Sequence, residues 1–338
     1  MITIYDIAKK ANVSPMTVSR VINNSGKISE KTRKKVEEVI EELNYIPNNA
    51  ARSLILKESK ILSLIITDIT NPFYTKVARG AEDKAKQMGY RLLLSNSDES
   101  LEKETEYVKM LLSAGVDGVL IAPSGDESKK NLRTLIKHKI PFVLIDREIP
   151  EIDCDLVLGD NYQGTRKLIE HLIDEGHSRI ALINGPSNVS TARARERAFI
   201  ETLQLAGIKP NKKLLANLSF MQNDAYPLIK KMMSLPDDER PTAIFAANNF
   251  IAIDTIKSLR ELNIHVPKDI AIVCFDDPDP IPDFNPFLTV ASQPAYNFGY
   301  IGIQLLIERI EGNGPKEKQK VILPPQVLVR KSSIKCSK

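Results

Sequence analysis

The feature that most constrains this chain is a regular alternation of short apolar runs with helical patterns, beginning at Ile61. The apolar runs predict strands at Ile61–Ile66, Arg91–Ser95, Gly118–Ile121, Phe142–Ile145, Leu156–Leu158, Ile180–Ile183, Ala243–Ala246, Ile270–Cys274 and Val327–Val329. Strands that alternate with helices form parallel sheets covered by helices on both faces. Because about eight strands over about 270 residues exceed one compact sheet, the pattern predicts two doubly wound halves of about 130 residues each.

The first 44 residues follow a different pattern, that of short helices. Thr3 and Asp6 stand at the spacing of a capping box, Ser14 precedes Pro15 as an N-cap precedes a first helical residue, and Ser29 repeats the capping signal. The second and third predicted helices are Pro15–Asn23, with Met16, Val18 and Val21 as candidate packing residues, and Glu30–Asn44. Two short helices joined by a tight turn and followed by a longer one form the helix-turn-helix plan.

The net positive charge of the chain is concentrated at its N-terminus. Residues 1–60 carry 11 Lys/Arg against 7 Asp/Glu, and the rest of the chain carries 36 of each sign. A basic head on a neutral body indicates a polyanion that contacts one end of the protein. Solvated surface charge is the alternative explanation when this observation is taken alone.

Composition narrows the class of protein. Apolar residues make up 42% and charged residues 27%, which is typical of globular proteins and unlike disordered chains. No run approaches eighteen apolar residues, so we expect neither a membrane span nor a secretory leader. The three cysteines are far apart and match no disulfide framework or zinc spacing, which favours the reducing cytoplasm.

Sequence signatures of an enzyme are missing. The chain has no Gly-x-Gly-x-x-Gly, no Walker-type loop and no Gly-x-Ser-x-Gly elbow. The four histidines, His138, His171, His177 and His265, have no partner at metal-ligand spacing. We therefore expect no catalytic residues, no metal and no cofactor. A sugar-modifying enzyme stays open as an alternative, with Asp146 and Asp276 as its candidate catalytic pair.

Several motifs resemble the lac repressor (LacI/GalR) family. In the head these are Thr3-Ile-Tyr-Asp-Ile-Ala, Val13-Ser-Pro-Met-Thr-Val-Ser-Arg-Val-Ile-Asn, Ser29-Glu-Lys-Thr-Arg and Leu43-Asn-Tyr-Ile-Pro-Asn. In the body, Asp68-Ile-Thr-Asn-Pro-Phe-Tyr, Gly176-His, Ala247-Asn248 and Phe275-Asp276-Asp277 follow in the family's order. The resemblance covers residues 2–330 and implies a dimeric, effector-controlled transcription regulator.

The resemblance also implies a division of the chain. It has an all-α helix-turn-helix headpiece at 1–46 and a hinge helix with its linker at 47–59. A periplasmic-binding-protein-like α/β body follows, made of two doubly wound parallel-sheet subdomains. The N-terminal effector-binding subdomain is expected at 60–158 and 292–320, and the C-terminal one at 159–291 and 321–330.

The headpiece residues are assigned to double-stranded operator DNA by similarity to the family. Pro15, Met16 and Arg20 occupy base-reading positions, where Arg20 could grip a guanine with two hydrogen bonds and Met16 could contact a thymine methyl. The residues that resemble phosphate-contacting positions are Tyr5, Thr17, Ser19, Asn23, Ser29, Thr32 and Arg33. Phosphate contacts hold register and supply affinity, not sequence preference. A pseudo-palindromic operator and a homodimer are implied.

Residues Asn48–Leu56 match the family's hinge helix. Leu54 stands where the family inserts a leucine into the minor groove and kinks the DNA, and Asn48, Ala51 and Arg52 share that groove-facing side. A helix of about two turns is marginal in water without a packing partner. We therefore expect a segment that folds only when two copies meet on DNA, which makes it usable as a switch.

Seven body residues resemble the family's sugar-site positions, most of them at the carboxyl ends of strands: Phe73, Asp146, Arg147, Arg195, Phe220, Asn248 and Asp276. Carboxylates and guanidinium groups suit vicinal hydroxyls, and an aromatic face suits the C–H side of a sugar. Two acids and two arginines cancel, which favours a neutral sugar over a phosphate or a nucleobase. The chain departs from the family at Asn249, Ala198, Cys274 and Ala122, which weakens any assignment of one effector.

The sequence therefore predicts a cytoplasmic repressor, not an enzyme, whose operator affinity is controlled by a small sugar-like effector. Two alternatives stay open. One is a regulator that needs its ligand to bind DNA, and the other is a solute-binding protein, which leaves the basic head unexplained.

Overall fold

A computed structural model describes residues 2–23, 25–45, 58–221, 225–278 and 286–334. The chain divides into two compact units, Met1–Ser59 and Lys60–Lys338. We describe each unit by itself.

The first unit contains the three helices expected from its caps. They are α1 (Ile4–Ala11), α2 (Pro15–Ile22) and α3 (Glu30–Glu42). Thr3 and Asp6 form the capping box of α1, Ser14 caps α2 ahead of Pro15, and Ser29 caps α3. The buried core of this unit is Ile7, Ala8, Ala11, Val18, Val21, Val36 and Val39. The predictions of the three caps, and of Val18 and Val21 as packing residues, are confirmed.

The body alternates strands and helices as the periodicity predicts. Its first half contains β1 (Ile61–Ile66), α4 (Pro72–Gln87), β2 (Arg91–Asn96), α5 (Leu101–Ala114), β3 (Gly118–Ile121), α6 (Lys129–Lys137), β4 (Phe142–Ile145) and β5 (Asp155–Gly159). Its second half contains α7 (Asn161–Asp174), β6 (Ile180–Asn184), α8 (Ser190–Leu205), β7 (Leu215–Asn217), α9 (Tyr226–Met233), β8 (Ala243–Ala246), α10 (Asn249–Glu261), β9 (Ala271–Phe275) and β10 (Thr289–Ser292). The chain then adds α11 (Ala295–Ile310), β11 (Lys320–Leu323) and β12 (Gln326–Leu328).

Two six-stranded sheets form the centres of the two halves. Their strand orders are β11-β5-β4-β3-β1-β2 and β12-β10-β9-β8-β6-β7. All pairings are parallel except that of β12 with β10. The two orders match position by position, so the same doubly wound topology occurs twice. The prediction of two parallel-sheet halves is confirmed.

One predicted boundary is wrong. Strand β11 pairs with β5, so residues 321–323 extend the first sheet instead of belonging to the second half. Strands β7 and β10 were not predicted either. The residues of β11 alternate between exposed and half-buried at the edge of the sheet, and β7 has only three residues. Neither β7 nor β11 produces the continuous apolar run by which the central strands are recognised.

Each sheet is buried on both faces by a pair of helix layers. In the first half, α4 and α11 cover one face and α5 and α6 cover the other. In the second half, α9 and α10 cover one face and α7 and α8 cover the other. Among the described residues, no helix is long and apolar enough to cross a membrane.

Glycines let α4 and α11 approach closely. A Cβ on Gly80 would lie 2.0 Å from the Tyr296 carbonyl oxygen, and one on Gly299 would lie 1.9 Å from that of Val77. Any side chain at these positions would push the helices apart. The contact fixes α4, whose first turn points at the cleft between the two halves.

Candidate DNA-binding surface and ligand cleft

The headpiece presents the large side chains of Tyr5 and Met16 to solvent. Tyr5 is 73% exposed and Met16 is 63% exposed, whereas Val18 on the same helix is fully buried. Met16 is therefore not a core residue, and its assignment as a packing residue is wrong. Pro15 and Arg20 are exposed beside it on α2. The surface that α2 leaves open carries all three residues assigned to base reading.

Hydroxyl groups surround the starts of α2 and α3. The Ser14 and Thr17 hydroxyls lie 2.9 Å apart, and those of Ser29 and Thr32 lie 2.8 Å apart. The serine hydroxyl of each pair also accepts a backbone N–H at the helix start. A hydroxyl that accepts inside the helix can still donate outward, which is what a phosphate requires. Helix N-termini add backbone N–H groups suited to an anion.

Of the remaining residues assigned to DNA, some belong to the α2 and α3 region and the others belong to the hinge. On α2, Asn23 Nδ2 donates to the Ser19 hydroxyl at 3.3 Å, and Arg33 on α3 is half-buried. The hinge residues Asn48, Ala51, Arg52 and Leu54 lie outside the described residues.

The cleft between the halves of the body contains a cavity that is partly open to solvent. All seven residues assigned to the effector from sequence line it. They meet there because β4, β8 and β9 end at the cleft, as ligand sites of open parallel sheets do. Contact of these residues with an effector stays a prediction.

On the first half, the cavity wall is a closed network of charges. Arg147 donates two hydrogen bonds to Glu99, both at 2.6 Å, and further ones to the carbonyls of Pro123 and Ser124. Tyr74 donates its hydroxyl to Asp146 at 2.9 Å. The Arg147 Nε has no hydrogen-bond partner, although Asp146 lies 3.5 Å away. The Asp146 carboxylate of this wall lines the cavity and can accept a hydrogen bond from a ligand.

Burial governs the ionisation of this wall. It raises the pKa of Asp146, against the opposing pull of Arg147 and Arg195. It also raises the pKa of the Tyr74 hydroxyl, and the neighbouring Asp146 charge adds to the effect. Burial by itself lowers the pKa of Arg147, but its interactions with Glu99, Tyr74 and Asp146 together outweigh burial, and the net shift is upward. Arg147 is therefore a permanent cation.

On the second half, the positive charge of Arg195 is less closely paired with a carboxylate than that of Arg147. Its Nε donates to Asn161 at 2.8 Å and its Nη1 to the Ala247 carbonyl, and its guanidinium stacks 3.8 Å from the centre of the Phe275 ring. The Asp276 carboxylate is 3.8 Å from Nη2, beyond hydrogen-bond distance. Burial lowers the pKa of Arg195 despite attraction by Asp276.

Burial also shifts the ionisation of Asp276. Burial raises its pKa from 3.8 to about 6, against the effects of Arg195 and of a 2.8 Å hydrogen bond from Gln293. A carboxyl group that is part protonated near neutral pH can both donate to and accept from a ligand hydroxyl.

Asn248 is placed by backbone groups. It caps α10 by accepting from Ile251 N–H at 2.8 Å, and its Nδ2 donates to the Phe220 carbonyl at 2.9 Å. The Phe220 ring lies 5.5 Å below the Arg147 guanidinium, which belongs to the opposite half. Phe73 packs edge-on against Tyr74 and Phe298. Both assigned aromatic residues thus form apolar walls of the cavity.

The cavity has further lining residues that were not assigned from sequence: Thr67, Asp68, Asn71, Tyr74, Glu99, Thr191 and Phe250. Asp68 and Asn71 belong to a motif that was noticed, but only as a family signature. Glu99 and Asp68 raise the number of lining carboxylates to four against two guanidinium groups. The expected balance of two acids and two arginines is therefore wrong, because the tertiary fold adds acidic residues.

Three departures from the family pattern lie in the core. Ala122, Ala198 and Cys274 are fully buried, and none of them lines the cavity. Burial raises the pKa of the Cys274 thiol, so it acts as a small apolar residue. Among the described residues, no group of three or more His, Cys, Asp or Glu side chains could hold a metal ion.

Comparisons with known proteins agree over both units. Residues 3–48 match the model of bacterial regulatory proteins of the lacI family, and residues 169–333 match a periplasmic binding protein-like domain. The chain is 34% identical to the HTH-type transcriptional regulator DegA of Bacillus subtilis, over 98% of each chain. It is also 34% identical to the HTH-type transcriptional repressor PurR of Photobacterium profundum, again over 98% of each.

Solved structures give the same result. The lac repressor dimer bound to operator and the anti-inducer ONPF matches with a TM-score of 0.83 at 27% identity, over 98% of this chain and 99% of that one. The transcriptional regulator CelR in complex with cellobiose matches with a TM-score of 0.72, also at 27% identity, over 98% and 100%. With a helix-turn-helix headpiece, a two-halved parallel-sheet body and full-length relatives that are regulators, the chain belongs to the LacI family of bacterial regulatory proteins.

Proposed function

We propose that this LacI-family regulator is a cytoplasmic repressor that binds a pseudo-palindromic operator as a homodimer, and that a small neutral sugar in the cleft controls its operator affinity. The observation that carries the proposal is the convergence of seven assigned residues from both halves on one cavity. A ligand that contacts both halves changes the free energy of their relative arrangement, which is the requirement for control at a distance.

The charges of the cavity support a neutral polyol. Four carboxylates and two guanidinium groups line it, so an additional phosphate or carboxylate would be repelled. Arg147 is already occupied by Glu99 with two hydrogen bonds and has no free fork for an anion. Hydroxyl groups can donate to Asp146 and Asp276.

The proposed control acts through the hinge. A change in the relative arrangement of the two halves would separate or align the two hinge helices of a dimer. Because these helices are marginal alone, a small displacement would unfold them and weaken DNA binding. In the alternative mode, the liganded arrangement is the one that pairs the hinge helices, and the sugar strengthens DNA binding.

A thermal-shift screen tests the ligand. Aldoses, ketoses, sugar acids and sugar phosphates are each added to the purified protein, and to Arg195→Ala as a matched control. A neutral sugar should raise the melting temperature of the wild-type protein and have no effect on the variant. Stabilisation by sugar phosphates alone would contradict the charge argument.

Operator reading is tested at Arg20, the one charged side chain among the base-reading positions. Arg20→Ala should lose about 1–3 kcal/mol of discrimination at one base pair while keeping salt-sensitive non-specific binding. The measurement is a competition of operator variants in a gel-shift assay, with Lys27→Ala as a control that removes a head charge without changing base preference. Equal weakening of Arg20→Ala on all sequences would refute the assignment.

The two other function classes make separate predictions. A solute-binding protein leaves the lacI-type headpiece at residues 3–48 without a purpose. A sugar-modifying enzyme would use Asp146 and Asp276, and incubation with each stabilising sugar followed by product analysis would detect its turnover.

A further inference from the structure

A buried hydrogen bond joins the two halves of the body beside the cavity. Asn249 Nδ2 donates to Asn71 Oδ1 at 2.9 Å. Asn71 is the N-cap of α4 in the first half, and Asn249 is the first residue of α10 in the second. Their side chains are shielded, since Asn71 is 9% and Asn249 is 1% exposed. The starts of two helices from different halves are thus linked directly.

Backbone groups fix the direction of this hydrogen bond. The Phe73 N–H donates to Asn71 Oδ1 at 3.0 Å, so the oxygen of that amide faces the contact. The Phe250 N–H donates to Asn249 Oδ1 at 2.9 Å, which leaves Nδ2 facing Asn71. Rotating either amide would bring an NH₂ group against a backbone N–H. Asn71 must therefore accept and Asn249 must donate.

Two other polar contacts between the halves, at the edge of the cleft, lie nearer to water. Arg193 binds Asp126 at 2.8 Å, but their side chains are 40% and 34% exposed. The Glu148 N–H donates to the Ser190 hydroxyl at 3.1 Å at an exposed position. Exposed pairs contribute little because water and salt replace them. A buried donor without its acceptor is far more costly, so the asparagine pair is more sensitive to chemical change than these two contacts.

We propose that Asn249 is a positioning residue that holds the two halves closed by donating to Asn71. Asn71 lines the cavity two residues before Phe73, so this hydrogen bond sets the spacing of the two cavity walls. An aspartate at position 249 could not donate, because a carboxylate has no N–H. The closed arrangement of this chain therefore depends on a neutral amide. The consequence for ligand binding rests on the proposed function, but the hydrogen bond and the closure do not.

Two substitutions of nearly unchanged size test whether the hydrogen-bond donor of Asn249, and not merely a polar side chain of that size, keeps the cleft closed. Asn249→Asp replaces the donor with an acceptor and sets two oxygens against each other. Asn71→Asp keeps an oxygen for the Phe73 N–H and one for Asn249, and aspartate is a favourable N-cap. Only the first variant should open the cleft.

Closure of the cleft can be measured in the absence of a ligand. The Asp126 N–H donates to the Asn188 carbonyl at 3.0 Å across the cleft, and the neighbouring Glu127 and Ser187 are exposed. Pyrene groups attached through Glu127→Cys and Ser187→Cys should form an excimer in the closed arrangement. The native Cys154 and Cys274 are buried, and Cys336→Ser removes the third cysteine. A mixture of the two singly labelled proteins corrects for excimers between subunits.

The excimer-to-monomer ratio should be unchanged by Asn71→Asp and should fall at least twofold in Asn249→Asp. A ratio in Asn249→Asp equal to that of the unsubstituted protein would overturn the proposal, as would an equal fall in both variants. If Asn249→Asp does not fold, Asn249→Ala removes the donor without adding a charge, and an unchanged ratio there would also overturn the proposal. Failure of the sugar screen leaves these results unaffected, so the two proposals fail separately.

Discussion

The two halves of the body share one topology but compensate their buried charges differently. Asp146 follows β4 and Asp276 follows β9, and these strands hold the same position in their sheets. Both aspartates have positive φ, at 65° and 69°, a conformation that is uncommon for non-glycine residues and that Asp adopts more readily than most. In each half, therefore, the backbone at the end of the equivalent strand directs an aspartate into the cleft.

What surrounds each aspartate differs. On the first half, Arg147 is held by Glu99 with two hydrogen bonds. On the second half, Arg195 and Asp276 are 3.8 Å apart, and the pKa of Asp276 rises to about 6. The arginine of the first wall is held in a hydrogen-bonded ion pair, whereas the arginine and aspartate of the second wall are not hydrogen-bonded to each other. A repeated fold thus supplies one rigid and one adjustable surface to the same cavity.

The largest effect is expected from breaking the rigid wall. Glu99→Gln should leave the buried Arg147 cation without its counter-charge and lower the free energy of unfolding by about 3 kcal/mol or more. Urea denaturation followed by circular dichroism measures this loss. Glu106→Gln, an exposed position on α5, is the matched control and should leave the midpoint unchanged. A loss below about 1 kcal/mol in Glu99→Gln would contradict the claim of a rigid wall.

A smaller effect is expected from the adjustable wall, and it depends on pH. The folded pKa of Asp276 is about 6 and its ordinary value is 3.8, so the folded protein holds this proton more tightly than the unfolded chain. Stability from this group is complete below about pH 4 and is lost as the pH rises through 6. At pH 7 the cost is on the order of 1–3 kcal/mol.

Asp276→Asn should therefore unfold at higher urea than the wild type at pH 7, and the difference should shrink at pH 4. Asp237→Asn, at an exposed position, is the control and should show no such pH-dependent difference. A constant difference between Asp276→Asn and the wild type from pH 4 to 7 would show that Asp276 has an ordinary pKa.

The smallest effect is expected at the edge of the cleft. Arg193→Ala removes the half-exposed ion pair with Asp126 and should change the free energy of unfolding by less than about 1 kcal/mol. The difference should shrink in 1 M salt, where charges are screened within about 3 Å. Urea titrations at low and high salt measure it. A larger loss that is independent of salt would place this pair with Arg147 and Glu99.

The central strands could be predicted from the sequence because parallel strands buried on both faces form continuous apolar runs. Sequence reasoning assigned Asp146, Asn248 and Asp276 by resemblance to the family's sugar-site positions, and each lies at or close to the end of such a run. It did not assign Glu99, whose partner Arg147 lies 48 residues further along the chain, or Tyr74, which sequence alone cannot distinguish from a core residue of α4. Pairings between distant loops depend on tertiary packing, which leaves no local pattern.

The most direct test of the account is selection of double-stranded DNA from a random pool by the purified protein, with and without a sugar that passes the thermal-shift screen. The account predicts enrichment of a pseudo-palindromic site, a change in affinity for that site when the sugar is added, and no such change for Arg195→Ala. If no double-stranded site is enriched under either condition at modest ionic strength, the account is contradicted.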